Sequence, residues 1–238
     1  MIGVILAGGK WRRFNSKTTK VMARYQGKEL IRIVIDAMQP LVTEIIIIVP
    51  PDDDLLRRAL ADYDNIRLAI QPKPLGTGHA LLTAQQVLQD RNETLLISFA
   101  DKPLVTTSTF EKLIRGHVAA GHQISFTTAI LDDPAQKGRI IRHDGVFQTI
   151  VEYKDADEKI SQIKEINGGF ICAESAELFV RLRRLGRDNA ADEYYLSKVF
   201  DEYIKDNLPV GIVRVDGLET ADINTIEQLE NLLNKDLP

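Results

Sequence analysis

An α/β fold is predicted, with a mixed but mostly parallel sheet, helices on both its faces and a small β-rich lobe inserted late in the chain. Three observations carry this. Apolar runs at 2–6, 44–49, 67–71 and 94–99 alternate with helix-period patterns at 30–38, 54–63, 80–89 and 109–119. The runs are nearly continuous in Ile, Val and Leu, as strands buried on both faces are. After the strand-like run 124–128 the rhythm changes, because 139–142 and 147–152 flank His143-Asp144-Gly145, a hairpin signal. The first eight elements thus read as βαβ units, and the later ones as a lobe within the same globule.

The remaining elements follow in order. Residues 155–164 read as a solvated polar loop, 192–203 as an amphipathic helix, 211–215 as a late strand and 225–233 as a closing helix. Asp52-Asp53-Asp54 opens a helix, where carboxylates suit the positive end of the dipole, and is not assigned a metal.

A chain of 238 residues with 44% hydrophobic and 27% charged residues has the makeup of a globular protein with a sizeable core. The net charge of -4 argues against broad nucleic-acid binding, while cations gathered in a cleft can still hold one nucleotide. Cys172 is the only cysteine and sits in the apolar run Phe170-Ile171-Cys172-Ala173, which reads as a buried structural thiol and leaves a reducing compartment unopposed. No charged leader precedes Ile2, and no apolar stretch approaches the ~20 residues of a membrane span. The expectation is a single cytoplasmic domain without membrane or nucleic-acid partners; oligomeric state is not readable.

Chemistry begins where the first strand ends. Leu6-Ala7-Gly8-Gly9 carries the chain into a glycine turn followed by Lys10, Arg12, Arg13 and Lys20. Glycines lacking Cβ let backbone N–H groups approach a phosphate, and Arg13 and Lys20 offer charge to triphosphate oxygens. Neither the dinucleotide spacing G-x-G-x-x-G nor the P-loop spacing occurs, so on this segment alone a solvated strand-to-loop turn is an equal alternative. In a parallel sheet, ligands lie beyond the C-terminal strand ends, where Gly8-Gly9, Gln71 and Ala100-Asp101 all fall.

Several further blocks occur in a fixed order. They are Gln71-Pro72-Lys73-Pro74-Leu75-Gly76-Thr77-Gly78-His79-Ala80, Ala100-Asp101-Lys102-Pro103-Leu104, Gly138-Arg139-Ile140, Val151-Glu152-Tyr153-Lys154-Asp155-Ala156, Glu165-Ile166-Asn167-Gly168-Gly169 and Asn189-Ala190-Ala191-Asp192-Glu193-Tyr194-Tyr195. With the opening turn, this ordered set resembles the sugar-phosphate nucleotidyltransferase family, and within it the uridyltransferase domain of bacterial N-acetylglucosamine-1-phosphate uridyltransferases, over nearly the whole chain.

The resemblance implies a Rossmann-like sheet in a single domain, 1–238, with a nucleotide-binding half at about 1–130 and a substrate lobe at about 131–215. It implies nucleotidyl transfer from a nucleoside triphosphate, first UTP, to a sugar 1-phosphate, first N-acetylglucosamine 1-phosphate, with magnesium as cofactor and pyrophosphate as product. Leu6, Ala7, Gly8, Gly9, Gln71, Gly76 and Thr77 would bind the nucleotide, and Arg13 and Lys20 its phosphates. Gly138, Glu152, Asn167, Glu193 and Tyr195 would bind the sugar, and Asp101 and Asn224 the metal. The family's C-terminal acetyl-transferring β-helix is not expected after Asn234. A sugar phosphate is already ionised near neutrality, so no general base is sought.

The chain departs from the pattern at several places. Trp11-Arg12 replaces Gly-Thr, Thr19 a proline, Ala100 a glycine, Gly168 a threonine and Thr225 a second asparagine. The bulk of Trp11 beside the phosphates keeps two alternatives open. One is transfer from CTP, dTTP or GTP to another phosphorylated acceptor; the other is a catalytically weak nucleotide-sugar binding or regulatory protein.

Overall fold

The computed structural model describes residues 1–8, 20–51, 54–89 and 91–234. Gly9, Arg13, the Trp11-Arg12 pair and Thr19 lie outside the described residues, as do Asp52 and Asp53.

The chain opens with β1 (Ile2–Leu6), a small hairpin of β2 (Arg24–Tyr25) and β3 (Lys28–Glu29), and α1 (Leu30–Met38). Then come β4 (Glu44–Val49), α2 (Asp54–Ala59), β5 (Ile66–Ile70), α3 (Thr77–Leu88), β6 (Thr94–Phe99) and α4 (Thr107–Ala120). The second half contains β7 (Ile124–Ile130), β8 (Arg139–His143), β9 (Val146–Val151), α5 (Glu158–Ser161), β10 (Glu165–Glu174) and α6 (Ser175–Leu182). It closes with α7 (Val199–Lys205), β11 (Val210–Arg214) and α8 (Ile226–Leu233).

The main sheet runs β11-β7-β10-β6-β1-β4-β5, and the β8–β9 hairpin attaches to β10. Strands β5, β4, β1 and β6 are mutually parallel, β11 is parallel to β7, and β10 alone on this path runs antiparallel to its neighbours β6 and β7. Alternation along the strands builds the two cores. Val4, Leu6, Ile46 and Ile48 pack with Leu81 of α3, Leu178 of α6 and Phe200 of α7. Ile5, Ile45, Ile47 and Val49 pack on the other face with Ile31 and Ile35 of α1 and Phe110 of α4. Both faces are therefore covered, which is why the strands read as unbroken apolar runs.

The β8–β9 turn forms at Asp144 and Gly145, whose φ angles of 48° and 80° match the paired positive values that a two-residue hairpin turn requires. Three expectations are corrected. The span 192–203 is not one helix: Asp192 has φ 53° and the backbone of Tyr194 is engaged elsewhere, so α7 starts only at Val199. The polar span 155–164 holds the short helix α5, capped by the Asp157 carboxylate accepting from the Ile160 N–H at 2.8 Å. Helix α2 ends at Ala59, short of residue 63, and α6 follows β10 without a sequence break.

Cys172 lies on β10 within the α1–α4 side core, with no exposed surface, and burial pushes its thiol up to about 12. Native protein is expected to leave this thiol unreacted with an aromatic disulfide reagent at pH 8, while denaturant releases one equivalent. Fast native labelling would refute the sealed core.

Candidate active site

Strands β1 and β6 leave the sheet side by side, with Leu6 opposite Phe99. Ala7-Gly8 and Ala100-Asp101 therefore emerge into one crevice, where the strand order switches direction from β4 to β6 around β1. Leu6 and Ala7 are buried, so they offer backbone and not side chains. Gly8 lies close against Gln71: a Cβ there would stand 2.7 Å from Gln71 Oε1, so the amide would have to shift. Gln71 is itself buried at the end of β5, and its side-chain N–H groups donate to Gly76 O at 3.2 Å and His79 Nδ1 at 2.9 Å. This His79 nitrogen is thus an acceptor, and burial lowers the ring's proton affinity.

A backbone seam then ties the first half of the site to the second. Tyr194 N–H donates to Leu75 O at 2.8 Å, and Tyr194 O accepts from Gly78 N–H at 2.8 Å. Thr77 Oγ1 accepts from Leu196 N–H at 3.0 Å. Asn189 holds the approach to this seam, with its amide donating to Glu193 O at 2.7 Å and its side-chain oxygen accepting from Ala191 N–H at 3.2 Å.

Beyond the seam lies a cavity of about 290 Å³. Gly138, Glu152, Asn167, Glu193 and Tyr195, five residues from four separate blocks, line it together with Thr77 and Asp101. Glu152 Oε1 accepts from the Ser197 hydroxyl at 2.6 Å, and burial raises its carboxyl above the usual range against the opposing pull of Ser197 and Lys198. Burial, with the neighbouring Asp155, Glu152 and Glu193 carboxylates, pushes the Tyr195 phenol up to about 12, so it stays a donor. Asn167 Oδ1 accepts from Gly169 N–H at 3.1 Å, leaving its NH₂ as the donor to offer. A Cβ at Gly168 would collide with the Thr127 hydroxyl and approach its carbonyl to 3.0 Å, which explains the absence of the family's threonine.

At the crevice end, Lys20 Nζ donates to Asp101 Oδ2 at 2.6 Å and to Asn224 Oδ1 at 2.7 Å. Two hard oxygens from residues far apart in sequence, Asp101 and Asn224, therefore converge on one cation. Asn224 is free of capping duty because Thr225 caps α8, exchanging hydrogen bonds with Gln228. The donor set suits magnesium, which takes one or two protein oxygens and fills the rest of its shell with water and phosphate.

Lys102, Lys137, Asp222 and Ser197 also line the cavity, and motif reading overlooked them. Lys102 and Lys137 both donate to Thr220 O, at 2.9 and 2.8 Å, and Asp222 lies 4.0 and 3.2 Å from them. Burial and the Lys137 charge draw Lys102 down to about 8. Burial opposes ionisation of Asp222, but the two lysines hold it below its ordinary value. The one signal in the sequence was position: each lysine adjoins a motif residue, Asp101 or Gly138.

Residues 3–165 match the MobA-like NTP transferase domain family. Bifunctional protein GlmU of Clostridium perfringens (strain SM101 / Type A) is 33% identical over 227 residues, 95% of this chain and 50% of that protein. The GlmU of Caldanaerobacter subterraneus subsp. tengcongensis is 34% identical over 233 residues, 97% and 50% of the two chains, and that of Bacillus cereus (strain AH187) 37% over 200, 83% and 43%. The chain spans about half the length of these curated relatives. With a mostly parallel sheet, a crevice at its strand ends and a match over residues 3–165, the chain belongs to the MobA-like NTP transferase family and is a nucleotidyltransferase.

Proposed function

We propose that the enzyme transfers a uridylyl group from UTP to N-acetylglucosamine 1-phosphate, releasing pyrophosphate. The observation carrying this reading is the single cavity that joins Gly138, Glu152, Asn167, Glu193 and Tyr195 to Asp101. A sugar ring held by the first five presents its phosphate towards the crevice where the triphosphate would lie. One phosphate oxygen of the acceptor attacks the α-phosphorus in line, the new P–O bond forms, and the bond to pyrophosphate breaks.

Glu152 accepts from sugar hydroxyls, and Asn167 and Tyr195 donate to ring substituents or the N-acetyl carbonyl. Gln71, with both side-chain N–H groups committed, offers its oxygen as an acceptor. An imide N–H such as that of uracil or thymine matches it, whereas N3 of neutral cytosine carries no proton to give. Asp101 and Asn224 would hold magnesium, which neutralises charge on the departing pyrophosphate. Lys20, and Arg13 from outside the described residues, would bring further positive charge to the triphosphate. Among the described residues no helix is long and apolar enough to cross a membrane, and a reaction between two small phosphorylated metabolites fits the cytoplasm.

Pyrophosphate release across UTP, CTP, dTTP and GTP, paired with a panel of sugar 1-phosphates, tests the reading. UTP with N-acetylglucosamine 1-phosphate is expected to give the highest kcat/KM. Release with no sugar phosphate, or a preference for CTP, would overturn it. Glu152→Ala and Asn167→Ala are each expected to cost ~1–3 kcal/mol in kcat/KM for the sugar phosphate with nucleotide affinity nearly intact. An equal loss in nucleotide affinity would place the damage in the fold.

A further inference from the structure

We propose that Lys102 and Lys137 form a two-pronged binding site for the phosphate of the acceptor, at the junction between the sugar cavity and the metal end of the crevice. The proposal rests on the transferase reading above and deepens it, by naming the group that holds the nucleophile.

Position is the first argument. Lys102 follows Asp101 and Lys137 precedes Gly138, so one lysine adjoins the metal end and the other the sugar end, and both line the cavity. In a sugar 1-phosphate the phosphate is the group that must lie between the ring and the α-phosphorus.

Charge is the second. Both ammonium groups touch the same Thr220 carbonyl and share one carboxylate, Asp222. Two cations against one anion leave a local excess of positive charge, although Glu152, Glu193 and Asp101 make the rest of the cavity acidic. Lys102 is almost wholly buried, with its ammonium over the Phe170 ring at 5.7 Å, so water does little to relieve its repulsion from Lys137. A bound dianion relieves it.

Geometry is the third. Each ammonium has three donors; one on each is spent on Thr220 O, and Lys137 turns a second to Asp222 Oδ1 at 3.2 Å, which leaves two donors on Lys102 and one on Lys137. These can meet two of the three terminal oxygens of a phosphate monoester and leave the third for attack. The Lys137 loop is held for this purpose by Arg139, which is buried and donates to Ala135 O at 2.8 Å and Ser161 O at 3.2 Å.

Inorganic phosphate is the probe, titrated by ³¹P NMR into enzyme saturated with magnesium and a non-cleavable α,β-methylene UTP analogue so that the triphosphate site is filled. Wild type is expected to bind phosphate competitively with sugar 1-phosphate. Lys102→Met and Lys137→Met should each weaken it about ten- to a hundredfold, the usual loss for a charge-assisted hydrogen bond. Lys137→Arg should restore most of the affinity, and the analogue's own affinity should change less than twofold. If Lys102→Met does not fold, the Lys137 pair of variants decides alone.

Wild type that binds no phosphate, or Lys137→Met with full phosphate affinity, would overturn the clamp. A clamp that passes this test in an enzyme releasing no pyrophosphate with any sugar phosphate would overturn the transferase reading instead. Active enzyme with an insensitive Lys137→Met would overturn only the clamp.

Discussion

Asp101→Asn is expected to lower nucleotidyl transfer by about 10²–10³-fold, ~3–4 kcal/mol, while the sheet stays folded. The reason is charge at one point. Asp101 and Asn224 present two oxygens to a single cation position, filled by Lys20 Nζ, and only Asp101 brings a negative charge. An isosteric amide still accepts from Lys20, and the Asp101 backbone carbonyl still accepts from Ile223 N–H at 3.1 Å, so the attachment of the 220–224 segment survives. What disappears is the charge that draws a divalent ion to the crevice, and its gain is largest when charge moves onto pyrophosphate. Nucleotide affinity should therefore fall less than kcat. Circular dichroism, a magnesium titration and the pyrophosphate assay together check this; near-normal turnover with an unchanged magnesium requirement would sink the assignment.

How much of this was legible in the sequence depended on what each residue's neighbours were. Runs such as Val4–Leu6 and Ile45–Val49 announce strands because both sheet faces are covered, so every side chain in them is apolar. The site blocks were legible because each falls at a strand end or turn, where neighbouring side chains crowd the backbone and favour glycine: Gly8 against Gln71 and Gly138 against Ile150 are examples. The span 192–203 misled because Glu193 and Tyr194-Tyr195 have a helical spacing of polar and apolar residues. The Tyr194 backbone is in fact committed to Leu75 and Gly78, about 120 positions earlier, and no local pattern reports that. Helix α6 was missed since Ser175 follows Glu174 with no Gly or Pro to mark the change from strand. Lys102 and Lys137 were passed over because an isolated lysine is ordinarily a solvated one; only the fold brings both to the Thr220 carbonyl. Gly168 and Thr225 looked like losses from the pattern, yet Thr127 fills the space of the first and the second caps α8.

Gly76→Ala is expected to lose roughly 2–4 kcal/mol of stability and to raise the KM of both substrates. Gly76 has φ 115° and ψ 172°, a region that L residues scarcely enter. Its missing Cβ also faces the seam: a methyl group would stand 2.6 Å from both Tyr194 N and Tyr194 O, and these are backbone atoms that no rotamer change can move aside. Those same atoms bond Leu75 O and Gly78 N–H, so making room for the methyl breaks the link that sets Gln71 and Thr77 against Glu193 and Tyr195. Damage at one glycine should thus reach the base end and the sugar end together, unlike Glu152→Ala. Gly121→Ala separates strain from collision, since Gly121 has φ 62° at the end of α4 with nothing within 4 Å of its absent Cβ. It should cost only the ~1–2 kcal/mol of a left-handed alanine and leave both KM values unchanged. For a chain of this size the difference is several degrees in unfolding midpoint, readable by calorimetry. If Gly76→Ala costs no more than Gly121→Ala, the steric account of the seam fails.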